Sequence, residues 1–196
     1  TVTDKFMKAV EKDADFDLFS NHNGKVIETV KARDLWIKLL TTRVETGEPY
    51  ILFIDTVNKS TPAHHRKLGL EVKTSNLCCE ITLPTGIDHL GNDRTAVCCL
   101  SSLNLEFYDD WKDNKLMIED IMRFLDNVLQ DFIDKAPDTM RKAKYSAMRE
   151  RSVGLGVMGF HSFLQSKNVP MESAMSTVWN KKIFQSIKVE VDKASK

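Results

Sequence analysis

The residues whose types and spacing most invite chemistry are Ser75-Asn76-Leu77-Cys78-Cys79-Glu80-Ile81. In an extended chain, side chains alternate between two faces. Asn76, Cys78 and Glu80 would then share one face, and Leu77, Cys79 and Ile81 the other. The second face is apolar and suited to packing. The first lines up an amide, a thiol and a carboxylate within reach of one small ligand. A thiol is a nucleophile, a metal ligand or, after one-electron oxidation, a hydrogen-atom abstractor. A carboxylate at bonding distance from a hydroxyl is a general base. An amide orients a hydroxyl with both a donor and an acceptor and adds no charge. The plainer alternative is an inert buried thiol at Cys78 and a solvated charge at Glu80.

The four cysteines form two adjacent pairs, Cys78–Cys79 and Cys98–Cys99. Neighbouring Cα atoms lie about 3.8 Å apart, below the usual disulfide minimum of ~4.4 Å, so a Cys98–Cys99 bridge would be strained. Vicinal pairs also suit a tetrahedral zinc site poorly, because structural sites space their cysteines by about two to four residues. No metal site is expected. His64 and His65 sit in a basic loop and read as solvated. Residues 154–159 (GLGVMG) match the glycine pattern of dinucleotide-binding turns, but the charged run KYSAMRERSV precedes them where an apolar strand is required. Close packing at a strand–helix junction is the better reading of these glycines.

Several elements must position these groups. Residues 31–46 carry an apolar stripe (Ala32, Leu35, Trp36, Leu39, Leu40) at helical spacing, and Gly47 marks its end. Residues 50–57 (YILFIDTV) read as a short buried strand, and residues 61–69 as a basic loop. Two extended segments, 72–83 and 95–105, flank the turn-rich TGIDHLGND. A long helix is expected over 116–133, stopped by Pro137, followed by a solvated charged interval up to Arg151. Apolar, Gly-rich 152–160 comes next, then helical patterns over 161–165 and from Glu172 onward. Strands alternating with helices indicate an α/β architecture.

With 196 residues, 42% of them hydrophobic, the chain has material for about one domain. Its 28 basic and 28 acidic residues cancel, which gives no electrostatic case for a nucleic-acid or anionic-membrane partner. No apolar run nears the ~20 residues that span a bilayer, and the acidic, amphipathic start does not read as a signal peptide. Reduced thiols in the cytoplasm are the expectation. The chain starts without Met and stops inside a helical pattern, so both ends are expected to be cut.

S-N-L-C-x-E-I followed by T-L-P-T resembles the active-site segment of class I ribonucleotide reductase large subunits. Residues 96–105 (AVCCLSSLNL) are similar to the family's strand bearing a redox cysteine. R-x-E-T-G-E-P-Y from Arg43, D-T-V-N from Asp55, and R-x-x-G-L-G-V-M-G from Arg151 complete the resemblance over nearly the whole chain, in order. The form N-L-C rather than N-P-C points to class I over the cobalamin-dependent relatives.

The resemblance implies a ten-stranded α/β barrel with flanking helices, of which residues 1–196 would be a partial catalytic domain. It implies that Cys78 becomes a thiyl radical that takes the ribose 3′-hydrogen. Glu80 is the implied base for the 3′-hydroxyl proton, and Asn76 holds the substrate hydroxyls, with Leu77 also at the substrate. Cys98 is one of two cysteines that end as a disulfide; its partner is not found in the chain. Cys79 and Cys99 are expected to be packing residues. The implied partners are a ribonucleoside diphosphate, a metal-containing small subunit that supplies the radical, thioredoxin or glutaredoxin, and a second large subunit. ATP and deoxynucleotide effectors are implied for the parent protein, with no cofactor bound directly. A phosphate-binding segment, a tyrosine pair, a C-terminal cysteine pair and a regulatory cone are not found, so the isolated chain is expected to be inactive. The alternatives are a nicotinamide-dependent oxidoreductase through residues 154–159 and a non-catalytic redox or metal-binding module.

Overall fold

A computed structural model describes residues 1–196. They form two compact units, Thr1–Thr95 and Ala96–Lys196.

The first unit opens with helix α1 (Asp4–Glu11), capped by Thr3, whose Oγ1 accepts from Phe6 N at 3.1 Å. An antiparallel hairpin follows, β1 (Asp15–Phe19) and β2 (Val26–Lys31). It leads into α2 (Ala32–Thr46), which Gly47 ends at φ +79°, its N–H donating to Arg43 O. Phe6 is the hub of a small core with Val2, Ala32, Phe16, Leu35 and Trp36. Its ring meets Phe16 edge-on at 5.1 Å.

Residues 50–57 depart from expectation. Only Phe53 makes a β-bridge, to Val2, and Ile54–Ser60 is a helix, α3. Polar contacts override the β-branched pattern. Asp55 Oδ2 accepts from Asp4 N at 2.6 Å, and Asn58 clasps residue 72 by accepting from Val72 N at 2.8 Å and donating to Val72 O at 2.9 Å. A short helix, α4 (Ala63–Lys67), lies within the basic loop. The expected extended segment 72–83 forms no strand; it is irregular, with a turn at residues 77–79. The turn-rich stretch after it is a minimal hairpin, β3 (Gly86–Ile87) with β4 (Asp93–Arg94). Its loop is organised by Asp88, which accepts from Leu90 N and Asn92 N and pairs with Arg94 at 2.9 Å, both side chains fully buried.

The second unit is built on β5 (Cys99–Asn104), followed by a single 3-10 turn and α5 (Tyr108–Trp111), then α6 (Met117–Lys135), α7 (Arg141–Glu150), β6 (Val153–Met158), α8 (Phe160–Ser166) and α9 (Ala174–Ala194). β5 and β6 pair in parallel, Cys99 opposite Val153 through Asn104 opposite Met158. The charged interval expected to be plain solvated surface holds α7, which buries Ala143, Ser146 and Ala147. The main core joins Leu103, Leu105, Tyr108, Ile118, Phe163, Leu164, Ile183 and Ile187. Each such side chain fully removed from water contributes about 1.5–3 kcal/mol before entropy is counted. Arg151, at φ +45°, terminates α7; its guanidinium grips the Asp126 carboxylate at 2.9 and 2.8 Å and Gln130 at 2.7 Å. No helix is long and apolar enough to cross a membrane.

Candidate active site

The Ser75–Ile81 segment is a closed loop. Ser75 Oγ donates to Ile81 O at 2.6 Å and closes its neck. Asn76 holds the interior with three bonds: its backbone O accepts from Cys79 N at 3.1 Å, its Oδ1 accepts from Ile81 N at 3.1 Å, and its Nδ2 donates to Glu80 Oε1 at 2.5 Å. Cys79 lies in the left-handed region at φ +67°, which reverses the chain within one residue and costs a non-glycine residue about 1–2 kcal/mol. The loop's bonds hold it there.

Alternation along a strand is therefore not what brings Asn76 and Glu80 together. A turn does it, with a charge-assisted bond as the clasp. Cys78 is at the tip and exposed, not sealed among aliphatic groups. Leu77, expected to pack, is 78% exposed. The base of the loop is anchored in turn: Lys73 N donates to Thr85 Oγ1 at 3.0 Å and Thr85 N to Glu71 O at 3.0 Å, just ahead of the Asp88–Arg94 hairpin. A cavity of about 240 Å³ borders the loop, walled by Thr74, Asn76, Leu77 and Cys79 on one side and by Glu48 and Tyr50 on the other. Sequence reasoning gave Glu48 and Tyr50 no role, although the R-x-E-T-G-E-P-Y motif that contains them was the available signal. A larger cavity, about 690 Å³, lies in the second unit among Arg123, Asp126, Glu150 and Arg151. It holds no thiol and is not the candidate site.

Cys98 precedes β5, in the second unit, and its Sγ lies 3.7 Å from Cys99 O. Segment 72–83 belongs to no sheet, so the expectation that Cys78 and Cys98 meet as strand neighbours has no ladder to rest on. Gly154 makes room beside Cys98: a Cβ there would sit 2.5 Å from Leu100 Cδ2 and 3.7 Å from Cys98 Sγ. Cys99 packs with Leu129, Ile133, Ala147 and Phe132, and burial raises its thiol pKa. None of the four cysteines is in a disulfide. No three His, Cys, Asp or Glu side chains are grouped to hold a metal ion.

Gly154 and Gly156 lie inside β6 rather than in a turn after it, and Gly159, at φ +74°, starts a helix of seven residues. The glycines serve strand contact: Gly154 faces Leu100, and a Cβ on Gly159 would collide with Asn104 Oδ1. A dinucleotide turn is not formed.

A model of the ribonucleotide reductase barrel domain matches residues 1–196. The chain belongs to the ribonucleotide reductase barrel-domain family. It is 49% identical over 180 residues to the ribonucleoside-diphosphate reductase large subunit of Invertebrate iridescent virus 3, covering 92% of this chain and 28% of that protein. It is 44% identical over 198 residues to a putative large subunit of Frog virus 3, covering all of this chain and 34% of that one. The alpha subunit of the class Id ribonucleotide reductase of Actinobacillus ureae superposes with a TM-score of 0.80 at 35% identity, covering 99% of this chain and 34% of that one. The chain thus spans about a third or less of the length of these relatives, and its mixed strands and helices are an α/β part of the barrel domain.

Proposed function

We propose that the protein acts as part of a ribonucleoside-diphosphate reductase catalytic subunit, making deoxyribonucleotides for DNA synthesis. The reading is carried by the Asn76–Glu80 clasp in the same loop as an exposed Cys78, in a chain matched throughout by the barrel-domain family. In this mechanism Cys78, as a thiyl radical, takes the 3′-hydrogen of the ribose and becomes a thiol. Glu80 accepts the 3′-hydroxyl proton as the 2′-hydroxyl leaves as water. Cys98 and a second cysteine supply two electrons and two protons and end as a disulfide. A hydrogen atom returned from Cys78 to C3′ restores the radical, and the proton held by Glu80 returns to the 3′-oxygen, which closes the balance. Asn76 orients the hydroxyls and holds Glu80 in place.

The radical originates in a metal-containing small subunit, and thioredoxin or glutaredoxin reduces the disulfide. A homodimer of large subunits, with ATP and deoxynucleotides as effectors, is the expected assembly, in the cytoplasm. No direct cofactor is assigned to this chain.

The test is reconstitution of the complete subunit with its radical-generating partner. Cys78→Ser abolishes reduction and leaves nucleotide binding within about twofold, and Glu80→Gln lowers kcat by about 10²–10⁴, the usual worth of a positioned base. Turnover surviving Cys78→Ser would overturn the proposal.

A further inference from the structure

The chain holds two vicinal cysteine pairs that are identical in covalent spacing, and the fold treats them differently. Cys99 is packed in the Leu129–Ile133–Ala147 cluster at the start of β5, while Cys98 lies beside Gly154. One sulfur of this pair is thus held by apolar packing, while the other borders Gly154. Cys78 and Cys79 sit in a turn outside every helix, strand and apolar cluster. Cys78 is exposed and Cys79 half-buried beside the 240 Å³ cavity. The one polar contact of Cys79 Sγ is a weak approach to Leu77 O at 3.8 Å.

We infer that Cys78 and Cys79 together form a dithiol site for a soft trivalent metalloid, with monosubstituted arsenic(III) as the ligand class. A direct disulfide between neighbours is strained because their Cα atoms are too close. A bridging arsenic enlarges the ring by one atom and removes that constraint. The step is a condensation with no change of oxidation state. An arsenous R–As(OH)₂ group forms two As–S bonds, the two thiol protons leave with the two hydroxyls, and two waters are released. The inference does not depend on the radical mechanism. It needs only two reachable sulfurs in one turn, and it gives Cys79 a role that packing does not.

The probe is phenylarsine oxide, added to the reduced, full chain under native conditions. Excess reagent is then removed with a monothiol, and the adduct is counted by intact mass. One adduct per chain is expected, stable to the monothiol and released by a dithiol. Cys79→Ser loses it, and so does Cys79→Gly, which removes the thiol while suiting the left-handed backbone at φ +67°. Cys99→Ser and Cys98→Ser keep it. In denaturant a second adduct appears as the Cys98–Cys99 pair is released from packing. Two adducts under native conditions, none, or an adduct that survives Cys79→Gly but disappears in Cys98→Ser would each overturn the inference.

Discussion

The Asp88–Arg94 pair offers the sharpest quantitative test of how the site loop is held. Both side chains are withdrawn from water, at 0% and 2% exposure. Asp88 also accepts two backbone N–H groups, Leu90 at 2.9 Å and Asn92 at 3.0 Å, through the oxygen that does not face Arg94. Asp88→Asn can keep those two turn bonds through its remaining carbonyl oxygen. What it deletes is the negative charge opposite the guanidinium. Removing one partner of a buried pair costs about 3–5 kcal/mol, because the other charge stays desolvated. Replacing both by apolar residues of similar volume is far closer to neutral. The expected result is therefore a destabilisation of about 3–5 kcal/mol for Asp88→Asn, and much less than the sum of the singles for Asp88→Leu/Arg94→Met. Urea unfolding followed through Trp36, which lies in the same unit, reads both, with the double-mutant cycle isolating the coupling. The hairpin continues directly from Thr85, which clamps Glu71 and Lys73. Asp88→Asn should therefore also loosen the neck of the Asn76–Glu80 loop, seen as faster amide exchange at Cys79 and Ile81. A cost below about 1 kcal/mol with a normal cycle would refute the reasoning.

Other outcomes follow from single features. In alkylation near neutral pH, Cys78 is modified first and Cys99 last, since Cys99 is packed and its pKa is raised; site-resolved mass spectrometry reads the order. Asp109 is held at a pKa of about 2 by hydrogen bonds from Lys112 and Lys167. Its folded pKa lies below its unfolded value near 3.8, so its stabilisation is present above about pH 4 and is lost as pH falls towards 2. The Tm difference between the wild type and Asp109→Asn should accordingly shrink over that interval. Gly154→Val places a branched side chain against Leu100 and should destabilise by about 1–3 kcal/mol, with partial rescue by Leu100→Ala, in urea unfolding followed through Trp111 and Trp179 of the second unit. Alone, the 196-residue chain should show no ribonucleotide reduction in a product assay.

Helices with long apolar periods were legible in the sequence. The stripe over 31–46 became α2 with its glycine stop, and the pattern over 116–133 became α6. Residues 95–105 and 152–160 contained β5 and β6, and the glycines of β6 serve the close packing their pattern suggested. Two readings failed for one reason. Residues 50–57 and 72–83 have strand-like composition, yet polar side chains tie the backbone to positions distant in sequence: Asp55 to Asp4, Asn58 to Val72 and Thr85 to Lys73. Propensity cannot anticipate such contacts. The candidate site shows the same limit. Asn76 and Glu80 meet, but through a turn enforced by Asn76 itself and by a left-handed Cys79, a conformation that the residue type does not advertise.

Arg151 carries a consequence for the parallel strands. It sits two residues before β6, in a backbone state that glycine would adopt more easily, yet glycine there would forfeit the grip on Asp126 and Gln130. That grip rivets the start of the strand to α6. A slip of one residue would bring Leu155 to the place where Gly154 now faces Leu100 and would turn every side chain of the strand over. The phasing of two neutral strands is thus guarded by a charged side chain that belongs to neither, and concentrated salt should loosen it before it touches the apolar core.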